Sequence, residues 1–255
     1  MRRFYSQIPG DHDQIIELAA EVQHHLTKVL RQPAGSLFEL FDGHGRIARC
    51  RLAEDNRQAK IEELFCFAPP SVEIELIQGL AKGEKLDLVL QKGCELGVNR
   101  FILSSTERSI LKIVANKEAS RMQRWQKITQ EACRQCGQPF VPGIDYSNSL
   151  PEALDFAEGE LRLMLWEEAS LPLKELLPES PPRRISLLVG PEGGFSAKEA
   201  GLAQAAGFQA VRLGPRILRT ETAGLAILSI LQYLYGDLDR NVSSFSSSEI
   251  GKDMS

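Results

Sequence analysis

The chain is short of several things at once. It has no apolar run of membrane-spanning length. Met1-Arg2-Arg3-Phe4-Tyr5-Ser6 meets Pro9-Gly10-Asp11 before an apolar core can form, so no secretory leader is read here and the cytoplasm is the expected compartment. Neither Gly-x-x-x-x-Gly-Lys-Ser/Thr nor Gly-x-Gly-x-x-Gly occurs, which removes the two familiar phosphate-cradling loops. Histidines number four and cysteines five. An odd cysteine count without a leader argues for reduced thiols. Cys133-Arg134-Gln135-Cys136 has no second pair at zinc spacing, and Cys50, Cys66 and Cys94 do not provide one, so no metal is expected. The net charge of −4 gives no general basic surface.

What remains is ordinary globular material, 43% hydrophobic and 25% charged over 255 residues, long enough for one to two domains with a proper core. Its most informative part lies near the C-terminal end. Ile185-Ser186-Leu187-Leu188-Val189 is a short apolar run stopped by Gly190-Pro191 and reads as a buried strand. Ser196-Ala197-Lys198-Glu199 is a Ser-x-x-Glu capping box that starts a helix. Between them Gly193 and Gly194 allow positive φ and close approach of a ligand to the backbone, although a tight turn with no ligand fits the same residues. About twenty residues on, Ala210-Val211-Arg212-Leu213 reads as another strand, broken by Gly214-Pro215. Thr220-Glu221-Thr222 then opens a segment apolar nearly all round, Ala223 to Leu231, expected to be buried. Two such loops fall side by side at the carboxyl edge of a parallel sheet, where α/β proteins bind ligands.

Leu188-Val189-Gly190-Pro191-Glu192-Gly193-Gly194-Phe195-Ser196 followed by Leu213-Gly214-Pro215-Arg216-Ile217-Leu218-Arg219-Thr220-Glu221-Thr222-Ala223 resembles the SPOUT methyltransferases, and among them the RsmE family. The likeness extends to His24-His25-Leu26-Thr27-Lys28-Val29-Leu30-Arg31, Leu40-Phe41-Asp42-Gly43-His44-Gly45, Gln91-Lys92-Gly93-Cys94-Glu95-Leu96-Gly97-Val98, Ser104 to Ser109 and Glu131-Ala132-Cys133-Arg134-Gln135. One departure is Gln138-Pro139, where the family usually has an Arg, so no RNA contact is carried to that position.

The resemblance implies methylation of uridine N3 in 16S ribosomal RNA, or in the assembled small subunit, by a homodimer using S-adenosyl-L-methionine. It implies an α/β C-terminal SPOUT domain with a mostly parallel sheet tied in a trefoil knot, behind a small PUA-like β-barrel that binds RNA. Leu165, Gly190, Glu192, Gly194, Leu213, Gly214, Ile217 and Leu218 inherit the cofactor role. The expected boundaries are residues 1–70 for the barrel and 72–238 for the methyltransferase domain, with a Ser-rich, disordered tail at 239–255 whose Asn241-Val242-Ser243 sequon has no meaning in the cytoplasm.

Along the chain, the pattern predicts a helix from Asp13 to Leu30, strands Ser36–Phe41, Arg46–Leu52 and Lys60–Ala68, and a hairpin turn at Asp42-Gly43. Past the linker Pro69-Pro70-Ser71, strands Val72–Gln78 and Arg100–Ser104 flank a helix Lys85–Glu95 and begin an alternating β/α region that ends near Gly236. A later amphipathic helix carries Met122, Trp125, Ile128, Ala132, Cys133 and Cys136 on one side, which favours a structural reading of the Cys pair, and clusters Arg124, Lys127 and Arg134 on the other. From Arg100 to Arg134 there are eight Lys or Arg against three Asp or Glu. Such a patch is either a solvated face or the footprint of a nucleic acid. Arg2, Arg3, Arg31, Arg108, Arg124 and Arg134 are the RNA-binding candidates.

Methyl transfer from a sulfonium needs orientation more than covalent chemistry. N3 of uridine, however, carries a proton, so a group must take it or a cation must stabilise the resulting anion. Arg219 and Glu221 are the candidates. Arg219 reads equally as a clamp on a carboxylate or phosphate, and Glu221 as a first-turn helix charge. A second reading, a ribosome-assembly factor that keeps the RNA surface and does no chemistry, gives no reason to retain both glycine loops and the Thr-Glu-Thr-Ala helix start.

Overall fold

Asp42, Gly43 and Gly45 turn the chain between two strands at the centre of the N-terminal unit. Asp42 Oδ1 accepts from the amides of His44 (2.7 Å) and Arg46 (3.0 Å), and both glycines have positive φ. A side chain at Gly45 would place its Cβ 2.6 Å from the Phe140 ring. The structure is a computed structural model that describes residues 1–169 and 171–239; the expected disordered tail and its sequon, from residue 240 onward, lie outside the described residues.

The chain divides into two units, the first comprising Met1–Pro69 with Cys133–Val141. Here β1 (Arg2–Tyr5), β2 (Ile15–Glu17), β3 (Leu37–Phe41), β4 (Arg46–Leu52) and β5 (Gln58–Cys66) form one sheet in the order β1-β3-β4-β5-β2. Only β1 and β3 run parallel. Alternate residues face one core of Phe4, Leu26, Phe38, Leu40, Cys50, Leu52 and Ile61, each large apolar side chain contributing about 1.5–3 kcal/mol by leaving water. Burial also pushes the Cys50 thiol up to about 12.

The helix expected from Asp13 to Leu30 is a correction. Asp13 has φ 65, Ile15–Glu17 pair with β5 as an edge strand, and only Ala20–His24 (α1) is α-helical, followed by a π-helical turn at His25–Val29. Ile16, Val22 and Leu26 are buried in this arrangement as they would be in one continuous helix. Apolar spacing therefore did not separate the two.

In the second unit β6 (Glu73–Gly79), β7 (Arg100–Ser104), β8 (Gly143–Ser147), β9 (Leu161–Leu165), β10 (Arg184–Val189) and β11 (Gln209–Val211) form a wholly parallel sheet in the order β11-β9-β10-β6-β7-β8. The helices are α2 (Glu84–Glu95), α3 (Ala115–Cys136, its last residues from Cys133 on belonging to the first unit), α4 (Leu150–Asp155), α5 (Leu173–Leu176), α6 (Ala197–Ala205) and α7 (Thr220–Leu234). Central strands β6 and β10 are buried almost end to end, which the apolar run of β10 anticipates but the Glu73, Glu75 and Gln78 of β6 do not. The Ser196–Glu199 capping box forms as expected.

Strand β11 lies at one edge of the sheet, yet α7 packs on α2 and β10. The chain after β11 thus crosses back over the carboxyl ends of β9 and β10, the return that a trefoil topology requires. One expectation about α7 is corrected. Ile227, Leu228 and Leu231 are buried, but Ile230, Tyr233 and Leu234 are exposed. Near-uniform apolarity hides which face meets the sheet.

Candidate active site

Loops leaving β9, β10 and β11 meet at the carboxyl edge of the sheet around a cavity of about 340 Å3. Leu165, Gly190, Glu192, Gly194, Ile217, Leu218, Arg219 and Glu221 all line it, with Lys85, Glu167, Thr220 and Ala223. An adjoining cavity of about 80 Å3 is lined by Trp166, Val211, Arg212, Leu213 and Arg216, and shares Leu165, Glu167, Ile217, Leu218 and Ala223 with the first. Of the expected cofactor and catalytic residues only Gly214 lines neither cavity. It turns the loop instead, at φ 73 with open space around it.

The glycines are required by geometry. Gly194 donates its amide to Pro191 O (2.9 Å) and holds φ at +66. A Cβ there would lie 3.0 Å from Glu167 Oε1, and one on Gly190 would lie 3.2 Å from the Gly194 backbone. Gln78 fastens the loops together from beneath. Fully buried at the end of β6, its Nε2 lies 3.2 Å from Gly190 O and 3.0 Å from Thr220 Oγ1, and Thr220 Oγ1 donates to Gly190 O at 2.5 Å. Sequence reading missed Gln78, Glu167, Trp166 and Thr220. The one signal for Gln78 was an amide at the end of an apolar run, since buried polar groups need partners.

Three carboxylates, Glu167, Glu192 and Glu221, line the larger cavity. Burial on its own would raise the Glu192 carboxyl. Hydrogen bonds from its own amide and that of Lys82, with Lys85 Nζ 3.3 Å away, outweigh this and hold it below the ordinary carboxylate range. Glu192 thereby ties the start of α2 to the glycine loop. Its Oε2, Glu221 Oε2 and Trp166 Nε1 are buried with no hydrogen-bond partner. Orphaned groups of this kind cost about 1–3 kcal/mol each. A ligand with a cationic centre and several hydrogen-bonding groups fits such a wall; S-adenosyl-L-methionine is one. Arg219 stands exposed as the residue capping α7, with Glu221 in the first turn.

Among the RNA-binding candidates, Arg3 and Arg124 have carboxylate partners. Arg3 bonds Glu39 through Nε (3.0 Å) and Nη2 (2.8 Å), and Arg124 forms a two-pronged pair with Asp87. Arg108 folds onto the glycine loop, Nη1 donating to Gly193 O at 3.0 Å. Arg2, Arg31 and Arg134 are exposed, Arg31 with φ 50. Cys133 is buried, its thiol directed to Phe140 O, while Cys136 is exposed rather than buried as its helix position implied. Among the described residues no helix is long and apolar enough to cross a membrane, and no His/Cys/Asp/Glu group has the arrangement to hold a metal.

Comparison with known proteins bears on this geometry. Residues 68–232 match the family model of an RNA methyltransferase domain, and residues 18–64 that of an RNA methyltransferase PUA domain. Ribosomal RNA small subunit methyltransferase E of Buchnera aphidicola is 29% identical over 239 residues, covering 92% of this chain and 94% of its own. The protein of that name from Bacillus subtilis is 30% identical over 231 residues, covering 85% and 89%. A crystal structure of ribosomal RNA small subunit methyltransferase E from Neisseria gonorrhoeae bound to S-adenosyl methionine superposes with a TM-score of 0.84 at 36% identity, covering 93% of this chain and 99% of its own.

Proposed function

The chain belongs to the ribosomal RNA small subunit methyltransferase E family, and from that premise we propose how its residues methylate N3 of a uridine in 16S ribosomal RNA. It is an S-adenosyl-L-methionine-dependent ribosomal RNA methyltransferase with a PUA-like domain. The observation that carries the assignment of the site is the meeting of the Gly190–Gly194 and Leu213–Leu218 loops on two adjoining cavities walled by unpartnered polar groups.

Leu165, Gly190, Glu192, Gly194, Leu213, Gly214, Ile217 and Leu218 hold the cofactor, largely through backbone amides and carbonyls that the glycines leave accessible. When bound, S-adenosyl-L-methionine supplies a methyl group on a sulfonium, already activated for in-line transfer. The protein's tasks are to place N3 and to manage its proton. Glu221, whose Oε2 is unpartnered, accepts the proton or a hydrogen bond from N3. Arg219 stabilises the anion delocalised over the flanking carbonyl oxygens. Burial of Glu221 Oε2 strengthens the first of these effects.

Residues 1–70 act as the RNA-positioning domain and 72–238 as the methyltransferase domain. Arg2, Arg3, Arg31, Arg108, Arg124 and Arg134 meet phosphates, which fix register without reading sequence; Arg3 and Arg124 exchange their carboxylate partners for RNA in doing so. The enzyme works in the cytoplasm as a homodimer on 16S RNA or the small subunit. Calorimetric binding of S-adenosyl-L-methionine, followed by mass-spectrometric mapping of ribosomal RNA from a deletion strain, tests the reading. A protein with no cofactor affinity, or a strain whose 16S uridines keep every N3 methyl group, overturns it in favour of an assembly factor.

A further inference from the structure

A second cavity, of about 450 Å3, opens at the carboxyl ends of β7 and β8, within the roughly 300–1,000 Å3 range of small-ligand sites. Lys112 and Lys198 line it with Thr106 and Asn148, and Leu111 and Leu202 give it an apolar side. Neither the methyl donor nor the proton transfer described above uses any of these residues.

The turn after β7 lines this cavity and also bonds the glycine loop of the cofactor cavity. On one side Arg108 Nη1 donates to Gly193 O of the glycine loop. On the other, Thr106 Oγ1 and Ser109 Oγ share a 2.8 Å hydrogen bond in the wall of the second cavity. Glu199, 3% exposed, fixes the turn in place. Its Oε1 accepts from the Glu107 amide at 2.8 Å and its Oε2 from the Ser196 amide at 3.0 Å. Both Glu199 oxygens are thus occupied by backbone amides. Lys198 lies 3.9 Å from Glu107, a loose pair, and Lys112 has no carboxylate partner among the described residues. The wall therefore offers an anion two ammonium groups beside two carboxylates, of which Glu199 is turned into backbone amides and Glu107 is loosely paired with Lys198. A base beside the anion would find an apolar face and, at Thr106 and Asn148, hydrogen-bonding groups for its edge.

We propose that this cavity is a subsite for a nucleotide flanking the target uridine, its phosphate held by Lys112 and Lys198 and its base lodged between the apolar and amide-bearing walls. This rests on the reading of the chain as a ribosomal RNA methyltransferase. A uridine whose N3 is to be methylated must be unpaired, so its neighbours in a single strand are free to splay into adjacent pockets. The shared turn couples the two events, since a nucleotide seated against Thr106 presses on the same turn that carries Arg108 to the glycine loop.

The full-length protein and its Lys112→Glu, Lys198→Glu and Asn148→Ala variants test this, with Arg183→Glu, just before β10 at the amino ends of the strands, as the control. The readouts are KM for unmethylated small ribosomal subunits, cofactor affinity by calorimetry, and the salt dependence of binding to protein-free 16S RNA. Each lysine reversal is expected to raise KM at least tenfold and to reduce the salt slope by about 1, with cofactor affinity within twofold of the parent. Asn148→Ala is expected to raise KM severalfold with an unchanged salt slope, because it meets a base and not a phosphate. KM and salt slopes that match the Arg183→Glu control overturn the proposal. So does a KM effect on subunits with no change in binding to protein-free RNA, which assigns the cavity to a ribosomal protein, or cofactor affinity that falls in step with KM. If the parent protein methylates no subunit at all, the functional reading fails, while the RNA salt slopes still decide the subsite.

Discussion

Gly194 combines two constraints that a side chain cannot meet, a φ of +66 and a carboxylate oxygen 3.0 Å from where its Cβ would stand. Gly194→Val adds about 1–3 kcal/mol of local strain and blocks the ligand's approach. We expect it to abolish calorimetric binding of S-adenosyl-L-methionine while circular dichroism reports a folded protein; unchanged affinity would remove the loop from the site. If Arg219 and Glu221 carry the chemistry as proposed, their signature is kinetic. If deprotonation of N3 limits the step, the single-turnover rate rises with pH until the base is ionised. Arg219→Ala then loses most at neutral pH, by about 10- to 1,000-fold on the scale of one electrostatic donor, and recovers part of that loss in alkali. A defect confined to cofactor affinity assigns Arg219 to binding instead.

Among the elements, the β6 strand decides whether the knot loops stay together. Gln78, at its end, bridges the Gly190 turn and the first residue of α7. Gln78→Leu is nearly isosteric but removes the bridge, leaving Thr220 its single bond to Gly190 O. The expected cost is about 1–3 kcal/mol in urea denaturation, with cofactor affinity falling at least severalfold because both loops loosen at once; an unaltered affinity would show that the two loops hold their shape without β6. The sequence made most of these elements legible and left others hidden, for identifiable reasons. Strands β7 and β10 announced themselves as short apolar runs with abrupt stops, and the Ser196–Glu199 box marked the start of α6 within a residue. The edge strand β2 was hidden because Ile16, Val22 and Leu26 keep a helix-compatible spacing whichever backbone carries them. The site loops were read from glycines, which have a local conformational cause. Gln78 and Glu167 went unread because their roles arise only when distant segments meet.

At the scale of the whole molecule, the exposed face of α7 is the feature the monomer leaves unexplained. Ile230, Tyr233 and Leu234 lie open to water on a helix whose first turn holds Glu221, and Ile217 in the preceding loop is 80% exposed. A homodimer that covers this face would bury the apolar side chains, each worth about 1.5–3 kcal/mol, and would close the cofactor loops against a second surface. The proposed homodimer and the catalytic site are then one device, because the helix that pairs the subunits also presents Glu221. Ile230→Glu with Tyr233→Glu puts charge on the face at a distance from the cavity. The expected outcome is a monomer by sedimentation, with cofactor affinity lowered at least tenfold and methyl transfer lost, while the melting transition stays cooperative. A variant that sediments as a dimer places the interface elsewhere, and a monomer with full activity separates subunit pairing from catalysis.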